Sequence, residues 1–288
     1  MPKTPSHKIH WRRRLVNALA VAAVSLAALV VMAPLVMILG TVIVRGMGGL
    51  HWSFFTQIPK GPGEAGGGMA NAIGGSGLIL LVASTIGIPL GVGAGIFLAE
   101  YGRNFYGNIV RFTSDVLNGI PSIVIGVTAY ALLVLKTGHY SPLAGGVALG
   151  IMMIPTVCRT TEEVLLMVPQ SIREAALGLG IPQWRTTVSV VVRTATAGIV
   201  TSIMLAFARV AGETAPLLFT VLGSAYWNWK LTEPTAAMPL QIYQYSITAY
   251  DEWIQQAWTG AMVLIAMIIG TVILVRSVTN RGMLKGTS

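Results

Sequence analysis

The stretch PQSIREAALGLGIPQWR, Pro169 to Arg185, is a polar interruption between long apolar runs, and its reading decides how the chain is built. Ser171 and Glu174 have the S-x-x-E spacing of a capping box, in which the serine oxygen accepts from a first-turn amide and the glutamate reaches back to the serine N–H. That spacing predicts a helix from Ile172. Gly180 suits the left-handed conformation that closes a helix, and Pro182 suits the first turn of a second one. Ile172, Ala175, Ala176 and Leu179 follow helical spacing and are expected to share a face. Two alanines make that face shallow enough to lie close in another protein's groove. The stretch reads either as a capped connector or as a handle by which a protein outside the membrane moves this one.

The flanking composition is that of an integral membrane protein. Of 288 residues, 54% are hydrophobic and only 10% charged, against about 25% charged in a soluble domain. The mean hydropathy is +0.71. Helices are the expected spanning form, because they satisfy their own backbone hydrogen bonds and the apolar runs are too long for barrel strands. The formal charge of +9 does not point to nucleic acid, since the basic residues sit at the ends of apolar segments and form no stripe. A single cysteine, Cys158, excludes an intrachain disulfide and cannot hold zinc alone. No His or Cys cluster suggests a metal, no Ser, His and Asp arrangement suggests catalysis, and there is no phosphate-binding G-x-x-x-x-G-K-[ST] loop.

Six spans are expected, at 15–44, 73–98, 116–135 with Pro121 interrupting, 143–157, 195–222 and 258–275. The first is too long for the core of a signal peptide and reads as a tilted span with Pro34 as a kink. Residues 1–14 and 281–288 read as polar tails and 15–280 as one all-α polytopic domain. Gly87, Gly91 and Gly95 fall four apart on one face, the pattern that lets helix backbones approach closely. Residues 45–72 read as a linker, and the aromatic residues of 223–257 as contacts to membrane lipid headgroups. Lysine and arginine test the orientation. The N-terminal tail, the connector with Arg103 and Arg111, the 169–185 region with its flanks, and the C-terminal tail hold fourteen. Arg45, Lys60, Lys136 and Lys230 are the four on the opposite side. By the positive-inside rule both termini and the 169–185 loop are expected to be cytoplasmic.

Arg209 remains, inside the fifth span, with Glu213 four residues on and expected one helical turn away on the same face. A charge at a helix centre costs about 2.5–3.5 kcal/mol on insertion scales, so such residues usually face a cavity, a partner or a substrate path. Gly212 and Pro216 flank the pair and can break the hydrogen-bond ladder there. The pair reads either as a packing device or as part of a polar path. Arg159, Thr160, Thr161, Glu162 and Glu163, near the end of the fourth span, read as a charged helix end facing the cytoplasm.

Glu174-Ala175-Ala176, three residues, then Gly180 resembles the EAA loop of the permease subunits of bacterial ABC importers, the coupling helix that docks on the ATP-hydrolysing subunit. Where that pattern continues with Ile and Leu-Pro, this chain has Val190 and Val192-Arg193. The run ARVAGETAPLLFT, residues 208–220, is similar to the signature of PstA-type permeases of the bacterial phosphate importer. FLAEYGR at 97–103, Arg159 to Glu162, Arg173 to Ala176 and the 66–72 run match as well, covering most of 66–220. The resemblance implies a six-span subunit of the bacterial cytoplasmic (inner) membrane that is not itself an enzyme. It implies pairing with a second, related permease, two ATP-binding subunits holding ATP and Mg, and an extracytoplasmic phosphate-binding protein. No cofactor is implied in this chain. Ser171, Arg173, Glu174, Ala175, Ala176 and Gly180 would serve ATPase coupling. Arg209, Glu213 and Arg159 would line the substrate pathway, because guanidinium offers forked donors matched to phosphate oxygens. The alternatives are another oxyanion (sulfate, molybdate or tungstate) on the same architecture, an ion-coupled carrier, for which no internal repeat is visible, and a membrane scaffold.

Overall fold

The structure is a computed structural model and describes residues 7–64 and 66–285. The helices are α1 (His7–Met47), α2 (Trp52–Thr56), α3 (Ala70–Glu100), α4 (Phe105–Gly119), α5 (Ser122–Thr137), α6 (Pro142–Leu166), α7 (Gln170–Gly178), α8 (Gln183–Ala211), α9 (Ala215–Thr220), α10 (Met238–Ser246) and α11 (Asp251–Lys285). Among the described residues α1, α3, α6, α8 and α11 are long and apolar enough to cross a bilayer, and α4 with α5, bent by 99°, passes the same test as a pair, so the crossings number five, or six if that pair is one broken span. The bend falls at Pro121, which forces Ile120 into extended backbone (φ −72, ψ 130).

Five spans depart from expectation; the third opens at Phe105 rather than 116, and the sixth covers Asp251–Lys285 rather than 258–275. The first helix begins by His7, so it takes in part of the expected polar tail, and Pro34 lies within it; residues 1–6 lie outside those described. The fourth runs on to Leu166 instead of ending near 157, because the charges there are paired inside the protein. The fifth starts at Gln183 rather than 195 and stops at Ala211 rather than 222. Its polar opening turns satisfy themselves: the Thr187 hydroxyl donates to the Gln183 carbonyl at 3.0 Å and the Thr196 hydroxyl to Val192 at 3.0 Å. Val190 and Val192 fall in a π-helical turn, Thr187–Val192, where the absence of proline lets the helix continue.

The bundle is organised by α3 and α6, which run parallel. Val82 meets Gly146, Met153 meets Gly87, Val157 meets Gly91 and Thr161 meets Gly95, in order along both helices. A Cβ on Gly91 would lie 2.6 Å from the Val157 Cβ, and one on Gly95 2.7 Å from the Cys158 carbonyl oxygen. The expected small-residue stripe is therefore the contact itself. Around it, Ile79, Leu149, Met153, Ala206, Val210 and Leu217 form the central core. A second core at one end gathers Phe54, Met69, Met238 and Tyr245, and a third at the other end gathers Leu165, Val168, Val191 and Ile199. Helix α1 stands apart, with only 6% of its apolar window buried. It is pinned to α11 near one end, where Gln255 Nε2 donates to the Arg45 carbonyl at 2.7 Å and the Arg45 guanidinium lies 5.1 Å from the Trp258 ring.

Substituting Gly91→Leu drives a side chain into Val157, and overpacking of this kind costs about 1–3 kcal/mol. The expected result is a lower melting temperature in detergent, whereas Gly93→Leu, at a position with open space around it, leaves melting unchanged.

Candidate functional site

Helix α7 is the predicted coupling helix, but its start and its faces differ from expectation. It opens at Gln170 with Pro169 in the capping position and no side-chain cap, so Ser171 and Glu174 form no capping box. The proline turns the chain directly: its carbonyl accepts from the Ile172 N–H at 3.2 Å, one step before a serine cap would act. Gly180 has φ +77, the left-handed closure expected, and Pro182 precedes the next helix instead of lying in its first turn. The expected single contact face is divided. Ala176 is buried and Ile172 packs on the inner core, while Glu174, Ala175 and Leu179 are exposed.

Arg173 points inward. Its Nε and Nη2 donate to Glu100 Oε1 at the end of α3, at 3.0 and 2.8 Å. Its Nη1 donates to the Val168 carbonyl, two residues past α6, and Nη2 also to the Leu165 carbonyl in the last turn of α6 at 2.8 Å. The two side chains are 13% and 6% exposed. Gln183 Nε2 adds a 3.3 Å bond to the Glu100 carbonyl.

A second ionic group joins α4 to α6. Glu162, 5% exposed, accepts from Arg111 Nε at 2.7 Å and from Arg159 Nη1 at 2.8 Å, and Arg159 Nε reaches Asp115 Oδ1 at 3.1 Å. Arg111 spends its remaining donors on the Gly102 and Leu98 carbonyls, at 2.9 and 3.0 Å. Arg159 to Glu163 is thus not an ordinary solvated helix end. Two arginines neutralise a buried carboxylate there, while Asp115, more than half exposed, and Glu163 face outward.

Arg209 has a different setting. Helix α8 stops two residues later, and Gly212 and Glu213 donate to the Arg209 and Val210 carbonyls at 3.3 and 3.2 Å, tightening the last turn. Pro216 opens the next short helix, since its ring has no place in a continued one. Arg209 and Glu213 are therefore not on one helix face, and they make no ion pair. Val210 and Ala206 turn to the core, while Arg209 and Leu205 are exposed on the face the bundle leaves uncovered. Among the described residues Arg209 is in no ion pair, so its guanidinium is available to a ligand.

At the end of the bundle away from α7 lies an open cavity of about 860 Å³, lined in part by Lys60, Gln241, Gln244 and Tyr245. Gln241 Nε2 donates to the Tyr245 hydroxyl at 3.1 Å, and burial pushes the tyrosine pKa up. Neither the cavity nor the partners Glu100, Arg111 and Asp115 were legible in the sequence as site features. Arg111 and Glu162 are 51 residues apart, and no local spacing pairs them; the i, i+3 spacing of Arg159 and Glu162 was the one visible signal.

Five long apolar helices, a bent helix pair of similar apolarity and a short, partly exposed helix between α6 and α8 make an all-helical polytopic membrane protein, and its family match makes it the permease component of an importer. The fold is that of a chain of the MetNI methionine ABC transporter in an inward-facing conformation, with a TM-score of 0.56 at 17% identity over 76% of this chain and 97% of that one. The model of the binding-protein-dependent transport system inner membrane component family matches residues 91–281, and the chain belongs to that family. It is similar to the phosphate transport system permease protein PstA of Yersinia pestis, 42% identical over 92% of this chain and 90% of the relative. It is likewise similar to the protein of that name from Xylella fastidiosa (strain 9a5c), 44% identical over 92% and 93%. The protein is a multi-pass component of the bacterial inner membrane, and in an ABC system of this kind it is the permease and not the ATPase, working with ATPase and binding-protein partners.

The Glu162 cluster sets a stability test. Glu162→Gln weakens two charge-assisted hydrogen bonds, each worth about 1.5–3 kcal/mol, and is expected to lower the melting temperature in detergent by several degrees. Asp115→Asn, which alters an exposed pair worth about 0–1 kcal/mol, is expected to leave it nearly unchanged.

Proposed function

We propose that the chain is one of two related permease subunits that enclose a path for inorganic phosphate, with two ATP-binding subunits below and a phosphate-binding protein delivering substrate from outside. Both termini and α7 are cytoplasmic in this reading, which the distribution of lysine and arginine supports. The names of the relatives at 42% and 44% identity support phosphate as cargo. The observation that carries the site is the unpaired, exposed Arg209 at the break between α8 and α9.

Arg209 is the first contact for the anion. Phosphate at neutral pH carries one to two negative charges, and an arginine that never loses its proton meets it at every pH of interest. Glu213 lies just beyond the break as a negative group that keeps the bound state weak and release fast. Arg159 is the second contact, reached when the anion displaces Asp115 from it. The second permease covers the face of α8 that carries Leu205 and Arg209. Another oxyanion would use the same charges, and the test below separates it.

The exposed side of α7, with Ser171, Glu174 and Ala175, meets the ATP-binding subunit, while Gly180 closes the helix. Ile172, Arg173 and Ala176 serve coupling from within, by seating the helix on its own bundle.

Two measurements on the complex reconstituted in lipid test this. Phosphate-loaded binding protein is expected to stimulate ATP hydrolysis where sulfate- and molybdate-loaded proteins do not, and Arg209→Gln is expected to cut phosphate uptake by about tenfold or more, the effect of losing one charge-assisted contact. Unchanged uptake and concentration dependence in Arg209→Gln would remove it from the path. Ala175→Asp, a charge on the exposed side of α7, is expected to leave hydrolysis running without uptake; normal coupling in that variant would move the contact elsewhere.

A further inference from the structure

The inner ends of three helices meet at one guanidinium. Arg173, carried by α7, holds the Glu100 carboxylate of α3 at 2.8 Å, the Leu165 carbonyl in the last turn of α6 and the Val168 carbonyl just beyond it. Glu100 closes α3, two residues beyond Leu98, whose carbonyl accepts from Arg111 Nη2 at 3.0 Å. Arg111 in turn holds Glu162 at 2.7 Å, and Glu162 holds Arg159 at 2.8 Å. Among these links the Arg173–Glu100 pair is the one with both side chains shielded from water, 13% and 6% exposed, whereas Glu162 is buried between Arg111 and Arg159, which are 28% and 32% exposed. A short, shielded, charge-assisted pair has fixed geometry and is least screened by salt.

We infer that Arg173 and Glu100 form a clasp that makes α7 and the ends of α3 and α6 one rigid body, so that a push on α7 is delivered to both spans. Arg173 is thus a positioning residue whose side chain contacts its own bundle. The clasp rests on the reading of α7 as the contact for a driving subunit. Without it, α7 is held to the bundle by Ile172, Ala176 and the chain connections at Pro169 and Gly180, contacts that resist separation but not rotation of a helix of 9 residues. The remaining links continue the same rigid body from Glu100 to Arg159, the second proposed anion contact.

The test uses the whole complex in lipid and two independent readouts. The first is phosphate moved per ATP hydrolysed. Arg173→Ala and Glu100→Gln are expected to assemble with the ATP-binding subunits and hydrolyse ATP, while this ratio falls about tenfold in each. The double variant is expected to be no worse than either single, and Arg173→Lys, which keeps the charge but not the fork, is expected to be intermediate. An unchanged ratio in the assembled single variants, or losses that add in the double, would overturn the clasp. The second readout needs no clasp variant: spin labels at Gly93→Cys on α3 and Leu177→Cys on the flank of α7, with Cys158→Ala, report the distance between the two elements. That distance is expected to be the same without nucleotide and with ATP trapped, and a shift between the states would overturn the proposal. If the wild-type complex moves a different oxyanion, the cargo reading fails while both clasp measurements proceed with that anion.

Discussion

Helices in lipid gain little from placing leucine against leucine, so their association depends on how closely their backbones approach. In this chain that distance is set where Gly87, Gly91 and Gly95 of α3 receive Met153, Val157 and Thr161 of α6. Because the two helices run parallel, their last turns finish side by side. Glu100, Glu162 and the carbonyls of Leu165 and Val168 are thereby gathered in one small region. Acceptors shielded from water there require donors, and Arg111 and Arg173 supply them from α4 and α7. Helix α7 is positioned by this demand as much as by its own sequence.

The arginines consequently divide into two kinds. Arg111 and Arg173 have their donors committed to carboxylates and carbonyls, and Arg159 is shared between a buried and an exposed acid. Arg209 has no such commitment and sits where the helix ladder ends. Under the proposed function the first kind transmits force and the second meets the anion. The distinction is invisible in composition, since every guanidinium carries the same charge. It arises from which acceptors the fold brings within about 3 Å, the reach of a hydrogen bond.

The division also explains why α7 misled a reading made on spacing alone. Ile172, Ala175, Ala176 and Leu179 are correctly spaced for one face, yet a two-turn helix lying on a bundle must turn part of its surface inward. Ile172 and Ala176 went to the core and Ala175 stayed outside. Likewise Ser171 and Glu174 have capping-box spacing, but Pro169 starts the helix before the serine is reached. For Arg209 and Glu213 the i, i+4 spacing was overridden by Gly212 and Pro216, which end one helix and begin another between them.

The sequence by itself determined the membrane class, the long apolar helices, the glycine stripe, the break at Pro121, the left-handed Gly180 and the short helix before it. Each of these follows from hydropathy, from a fixed proline ring or from a missing Cβ, properties that a residue carries with it. Only the tertiary structure decided that Arg173 grips Glu100 across 73 residues, that Glu162 is buried between two arginines, and that the fifth helix starts in polar sequence. Ion pairs act over a few ångströms in space without regard to separation along the chain, so their partners exist only once the helices have been packed.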